Sequence, residues 1–428
     1  MNRRYFLAAL SAVSTRRAVA AGDKLTIACM GVRGRAGHLL RGFLDLPDVE
    51  VAMLCDIDSR LLPAAAKLVQ DKKGKAPRTT GDFRRALDDK SIDALVVGTP
   101  DHWHALPTIL ACQAGKHVYV EKPCSHNVRE GQVMLAAARK HNRVVQVGIQ
   151  SRSGRHFAEA CEYIRSGALG KVVLARGWEA SRQRSTGRPA DTAVPAGVDY
   201  DLWLGPAPKR PFNPNRFHSN WRWFFDYGTG DLGNDGVHRT DYARRGLEAA
   251  FTAMGRTLPE WPTAVTSTGG KLYFDDDQEF PDTLMTTWEY PGAMLTYEMR
   301  IWSPTPLEGE AEGAAIYGDN GSVVIGNQGW RAYDAKGKLL PNGTQSGNDQ
   351  ADPAHKRNFI DSIRNNSTPV CDIAIGHAAS SLTHLGNIAW RTGRRLRFDG
   401  ATQTFVNDPE ANRLLSRTYR APWVLPKV

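Results

Sequence analysis

Between residues 24 and 148 short apolar runs alternate with helical stretches, and the first junction between them is a glycine turn. The runs are Lys24 to Met30, Val49 to Asp56, Ile92 to Gly98, Lys116 to Val120 and Arg143 to Gly148. Strands separated by helices are joined by crossovers and pair in parallel, so the pattern predicts an α/β fold opening on a doubly wound parallel sheet. Such sheets bind ligands beyond the carboxyl ends of their strands, which directs attention to the residues that follow each run.

After the first strand comes Gly31-Val32-Arg33-Gly34-Arg35-Ala36-Gly37 and then a helical His38-Leu39-Leu40. Strand, glycine turn and helix start are the parts a pyrophosphate needs, because the backbone must approach closely and a helix start offers free N–H groups. The spacing departs from G-x-G-x-x-G: Gly31 holds the first position, Arg33 the second and Ala36 the third, with Gly34 and Gly37 one residue further on. Asp56 ends the second strand, where a carboxylate would meet adenosine ribose hydroxyls; it would repel a 2′-phosphate, so NAD is expected over NADP. At the later strand ends lie Thr99, Pro100, Asp101, His104, Glu121, Lys122 and Gln150, expected around the nicotinamide half of the cofactor. His102-Trp103-His104 reads as cleft lining; without a third ligand in view the two histidines predict no metal centre.

Glu121-Lys122-Pro123, directly after a strand, resembles the Glu-Lys-Pro signature of the glucose-fructose oxidoreductase / inositol dehydrogenase / MocA (Gfo/Idh/MocA) family, in which the lysine sits between nicotinamide and substrate. Gly230-Asp231-Leu232-Gly233-Asn234-Asp235-Gly236-Val237-His238 is similar to the family's second catalytic motif, where a polar residue, often Asp, precedes a histidine by four positions. The resemblance implies that Lys122 and His238 surround a hydroxyl being oxidised. Asn234 occupies the Asp position and cannot act as a carboxylate base, which moves the proton role toward His238 or Lys122, with Asp241 orienting the imidazole. Arg222, Trp223 and Tyr227, in the aromatic run before this motif, are candidates for a sugar-stacking wall together with Lys122, Asn234 and His238; at least two of Trp221, Trp223, Phe224 and Phe225 are expected in the core.

From about Ser151 the pattern changes. Runs such as 264–272, 284–290, 293–301 and 312–317 alternate apolar and polar residues, predicting a C-terminal α+β domain with a large, open, mainly antiparallel sheet. In the resembled family that sheet forms the oligomer interface, which implies a homodimer or homotetramer. The closing run around His355-Lys356-Arg357 and Asp372 to Ala389 resembles the exported branch of the family and reads as core helices.

The N-terminus carries Arg3-Arg4 before Tyr5-Phe6-Leu7, a modest apolar run and Ala18-Val19-Ala20-Ala21, the pattern of a twin-arginine export signal over residues 1–21 and hence of a periplasmic destination. That leaves a cofactor domain over 22–150 and a substrate-binding and oligomerisation domain over 151–428. The net charge of +10 comes without basic blocks interleaved with aromatics, so nucleic-acid binding is not expected, and no later run is long and apolar enough for a helical membrane span. The six cysteines have no paired spacing, and Cys29 and Cys55 read as core thiols. The functions predicted are an NAD-dependent oxidoreductase acting on a sugar, cyclitol or glycoside hydroxyl; alternatively a redox-neutral NAD-dependent glycosidase; and, from another class, a silent sugar or nucleotide sensor.

Overall fold

The computed structural model describes residues 24–327, 329–341 and 351–428; the expected export signal lies outside the described residues. Six strands build the first sheet: β1 (Leu25–Met30), β2 (Val49–Cys55), β3 (Arg78–Thr80), β4 (Ala94–Val97), β5 (His117–Glu121) and β6 (Val145–Gly148). All pair in parallel in the order β3-β2-β1-β4-β5-β6. Helices α1 (Arg35–Leu44), α2 (Leu62–Lys73), α3 (Arg84–Asp88), α4 (Ala105–Gln113) and α5 (Val128–Lys140) lie between them. Every residue of β4 and β6 is buried, as befits strands covered on both faces. The strand order reverses between β1 and β4, and a crevice opens beyond their carboxyl ends.

The second half contributes α6 (Arg155–Arg165), β7 (Val172–Ala180), α7 (Tyr200–Leu204), α8 (Gly230–Asn234), α9 (Gly236–Ala253), β8 (Ala264–Gly270), β9 (Thr283–Tyr290), β10 (Ala293–Arg300), β11 (Glu312–Gly318), β12 (Gly321–Gly326) and β13 (Trp330–Asp334). It ends with α10 (Ala351–Asn365), α11 (Ile373–Thr392), β14 (Leu396–Asp399), β15 (Thr404–Phe405) and α12 (Pro409–Arg413). Nine strands run in the order β13-β12-β11-β7-β10-β9-β8-β14-β15. The pairings are antiparallel except β7 with β10, which is parallel, so the sheet is mixed and mainly antiparallel, as expected. Alternation decides the faces: Leu284, Trp288, Leu295, Tyr297 and Met299 join the core under α9 and α11, whereas Met285 and Met294 stand out on the other face at 54% and 46% exposure.

The expected boundary near residue 150 separates the two sheets but not the helices. Phe359 and Ile360 of α10 pack with Phe43 and Tyr119 on one face of the first sheet, and Cys371, Ile373 and Ala379 pack with Val145 and Val147 on the other. The C-terminal third therefore completes the cofactor domain. All six cysteines are buried and free, consistent with core thiols. Among the described residues no helix is long and apolar enough to cross a membrane.

Candidate active site

At the reversal of strand order lies a cavity of about 250 Å³, lined by the loops after β1, β2, β4 and β5 and by residues of the second domain. Gly31 takes a left-handed φ of 91°, and its N–H donates to the Cys55 carbonyl at 2.8 Å; a Cβ there would lie 3.1 Å from the Gly98 oxygen, so only glycine lets the loop turn this tightly. Gly34 precedes α1 with no side-chain cap, and the helix has no acid in its first turn, leaving its first N–H groups for an anion. Ala36 is buried and does not line the cavity: it seats α1 against Gly98, where a Cβ would approach the Ala36 Cβ to 2.8 Å. Arg33 is exposed on the loop. Arg35 lines the cavity but is committed, through bonds of 2.7 Å, to Glu121 of β5 and Asp352 of α10, so it braces the loop across the cleft. Asp56 accepts the Val32 and Asp58 N–H groups, each at 3.0 Å, and burial holds its carboxyl above the usual range. The glycine turn, the uncapped helix start and the carboxylate at the tip of β2 fit a dinucleotide with unsubstituted ribose hydroxyls. The second acid, Asp58, is paired with Arg60 and lies 3.5 Å from His218.

Thr99 and Pro100 line the other end of the cavity together with Asp101, whose buried carboxylate accepts from Thr229 Oγ1 at 2.7 Å and is pushed up to about 6 by burial. His104 lies behind this wall: its ring nitrogens face the Pro123 carbonyl at 2.6 Å and the Thr99 carbonyl at 2.8 Å, pinning the ends of β4 and β5 together. His102 is likewise buried between the Trp203 and Tyr227 carbonyls, and of the three residues only Trp103 lines the cleft, because each imidazole is taken up by backbone. Gln150 stands behind Glu121, donating to it at 3.4 Å. Lys122 emerges from β5 with its side chain 14% exposed; Nζ donates to the Asn234 carbonyl at 2.7 Å and Oδ1 at 3.2 Å, and lies 3.9 Å from Asp235 Oδ1. Asn234 thus holds the lysine without charge. His238, half-buried, is kept well below the ordinary histidine range by burial and by Lys122, Arg239 and Arg35, so its imidazole is neutral and a weak base.

Residues 25–149 match the model of the oxidoreductase family with an NAD-binding Rossmann fold, and residues 177–248 and 308–425 match the same family's C-terminal alpha/beta domain. The chain belongs to the Gfo/Idh/MocA oxidoreductase family. Its first domain is the family's NAD-binding domain. Among curated Gfo/Idh/MocA relatives, levoglucosan dehydrogenase of Pseudarthrobacter phenanthrenivorans is 29% identical over 194 residues, 45% of this chain and 42% of the relative. A glycosyl hydrolase family 109 protein of Stenotrophomonas maltophilia is 36% identical over 185 residues, 40% of this chain and 41% of the relative. The matches thus span less than half the length of these relatives. Solved structures share the fold over nearly the whole chain. The aldose-aldose oxidoreductase of Caulobacter crescentus has a TM-score of 0.63 at 22% identity, covering 88% of this chain and 100% of that one. Levoglucosan dehydrogenase in complex with NADH and levoglucosan has a TM-score of 0.66 at 19% identity, covering 88% and 99%.

Within the Gfo/Idh/MocA frame several expected residues lie elsewhere. Trp223 and Tyr227 are buried at 4% and 0% exposure and pack into the second domain's core, Tyr227 against Trp203, so neither presents a face for stacking a sugar. Asp241 points to Arg152, with bonds of 2.5 and 2.9 Å, and this buried pair takes up the carboxylate expected to orient His238. Arg222 does reach the cavity, its Nη1 3.5 Å from Asn234 Oδ1. Trp221, His218 and Ser219 line it as well. Trp223 and Phe224 are the core pair expected among the four aromatics, Trp221 is the one that reaches the cleft, and sequence reasoning missed His218 and Ser219, since nothing in the run marks which side chains face outward. It also passed over Asp235, the acid beside Lys122, whose adjacency to Asn234 in the motif was the available signal.

Proposed function

We propose that this protein is an NAD-dependent oxidoreductase that removes a hydride from a hydroxyl-bearing carbon of a sugar, cyclitol or glycoside. The reading rests on Lys122, an ammonium held by Asn234 at the nicotinamide end of the cleft beside a neutral His238. When bound, the cofactor supplies a hydride acceptor. The chain's own residues do the rest: Lys122 hydrogen-bonds the substrate oxygen, handles its proton and stabilises developing alkoxide charge, the neutral His238 imidazole stands beside it, and Arg222 and Trp221 bound the space where a polar ring would lie. Sugar relatives of the family, levoglucosan dehydrogenase among them, support the substrate class. The test is NAD reduction over a panel of sugars and cyclitols. Lys122→Met is expected to lower turnover at least 100-fold while NAD still binds; full activity in that variant would overturn the assignment.

A redox-neutral variant, in which the hydride leaves and returns during glycoside cleavage, draws support from the match to the glycosyl hydrolase family 109 protein and from the twin-arginine pattern at Arg3-Arg4, which fits export with the cofactor already folded in. Cofactor retained at one NAD per chain after purification from the periplasm favours this cycle. A glycoside that is hydrolysed with no net NADH decides for it. The open face of the nine-stranded sheet, carrying Met285 and Met294 on neighbouring strands, supports self-association. Changing both to Lys is expected to give monomers by light scattering, with the fold unchanged.

A further inference from the structure

Asp231, at the start of α8, and Asp235, at its end, are joined by a helical bond from the Asp235 N–H to the Asp231 carbonyl, which sets their side chains on one side of the turn. Opposite them stands Glu179, near the end of β7. One oxygen from each of the three carboxylates lies within 4.8 Å of the other two. Glu179 and Asp231 are each 1% exposed, while the Asp235 side chain is 35% exposed. Glu179 accepts from Ser181 Oγ at 3.0 Å and Tyr297 OH at 3.4 Å, but both carboxylate oxygens of Asp231 are buried with no donor from any side chain or backbone group.

Three negative charges at this spacing repel one another, and two of them are out of water. A proton shared between Glu179 and Asp231 removes that repulsion and gives Asp231 the donor it lacks. The charged and titratable groups facing the cluster are Lys122 from β5, Arg222 from the aromatic segment, Arg239 from α9, Tyr297 from β10 and Glu312 from β11; Arg239 is already paired with Glu312. Asp235, the most exposed of the three acids, faces Lys122 at 3.9 Å.

We propose that Asp235, backed by the proton-sharing pair Asp231 and Glu179, is the proton acceptor of this site and takes the place of the carboxylate that Asn234 does not supply. The proposal rests on the oxidoreductase reading above. Lys122 first releases a proton to Asp235, 3.9 Å away, and its neutral amine then takes the hydroxyl proton as the O–H bond breaks, while the C–H electron pair would leave as hydride to the bound cofactor; the lysine charge is thereby restored and Asp235 ends neutral. The alcohol becomes a carbonyl. The buried pair stabilises this outcome because its shared proton can shift toward whichever carboxylate is charged. A divalent cation is the competing occupant of three carboxylates, but Lys122 and Arg239 already supply positive charge here and Glu179 spends both oxygens on hydroxyl donors.

Infrared spectroscopy of the NAD-loaded protein tests the pair directly. A protonated carboxyl band is expected at neutral pH, shifted in deuterium oxide and lost in both Asp231→Asn and Glu179→Gln; a wild-type protein without such a band overturns the proposal. Calorimetric titration with Mn²⁺ is expected to show no binding, and binding that Asp231→Asn abolishes likewise overturns it. With the sugar the wild type oxidises best, Asp235→Asn is expected to lower kcat about 100-fold and remove the acid limb of its pH profile, with NAD affinity within about threefold of wild type. An unchanged kcat overturns the acceptor role. If the wild type oxidises no sugar while the carboxyl band is present, the oxidoreductase reading has failed and the acceptor role falls with it; a missing band in an active enzyme condemns this proposal alone.

Discussion

Lys122 and Asp56 mark the two ends of the cofactor cleft, and both were legible from their places at strand ends. The sequence could not show how their neighbours are employed: Arg35 reads as one residue of the cofactor loop until Glu121 and Asp352 are seen to occupy it, and Asp241 reads as the partner of His238 until Arg152 is seen to hold it. Such pairings join residues far apart in the chain, and no local spacing encodes them. For Asp56 the consequence is measurable. Charge-assisted bonds to ribose hydroxyls are worth about 1.5–3 kcal/mol, so Asp56→Ala is expected to weaken NAD about 10- to 100-fold by fluorescence titration while NADP weakens less. Equal losses for both cofactors would show that Asp56 only shapes the loop through its bonds to Val32 and Asp58.

At the level of elements, the parallel strands announced themselves through continuous apolar runs, and the second sheet through alternation. Two features stayed hidden. The parallel pairing of β7 with β10 is a long-range match that alternation does not specify, and the apolar positions Phe359, Ile360 and Ile363 of α10 say that it packs but not that it packs on the first sheet. The junction of β4 with α1 is the element contact on which the cleft depends, because Gly98 and Ala36 leave no room for another carbon. Gly98→Ala is expected to push α1 from the sheet, destabilising the fold by about 1–3 kcal/mol in urea unfolding and weakening NAD at least 10-fold. Loss of stability with NAD affinity intact would mean that the helix start does not hold the cofactor.

Across the whole molecule, histidines outnumber the roles found for them at the cleft, and six of the twelve are buried. His102 and His384 are held down to about 3, and His355 and His377 to about 4, in each case first by burial, with exposures of 4% or less. A base whose pKa is depressed in the fold contributes stability that is fully present above its unfolded value of about 6.5 and is lost as pH falls toward the folded value. At pH 5, below that unfolded value, each of these four has lost part of its contribution. Carboxylates act in the opposite sense: Asp101, raised to about 6, gains stability as pH falls through that value, and the Glu179–Asp231 pair, raised by burial and mutual repulsion, does the same. These four histidines, joined by His126 and His238 with the same sign, outweigh the three acids. The urea midpoint is therefore expected to fall between pH 7 and pH 5, with net uptake of more than one proton on unfolding, and His384→Asn should flatten that fall. A midpoint that holds steady over this range would mean that these histidines are reached by water and titrate in the folded protein as they do in the unfolded chain.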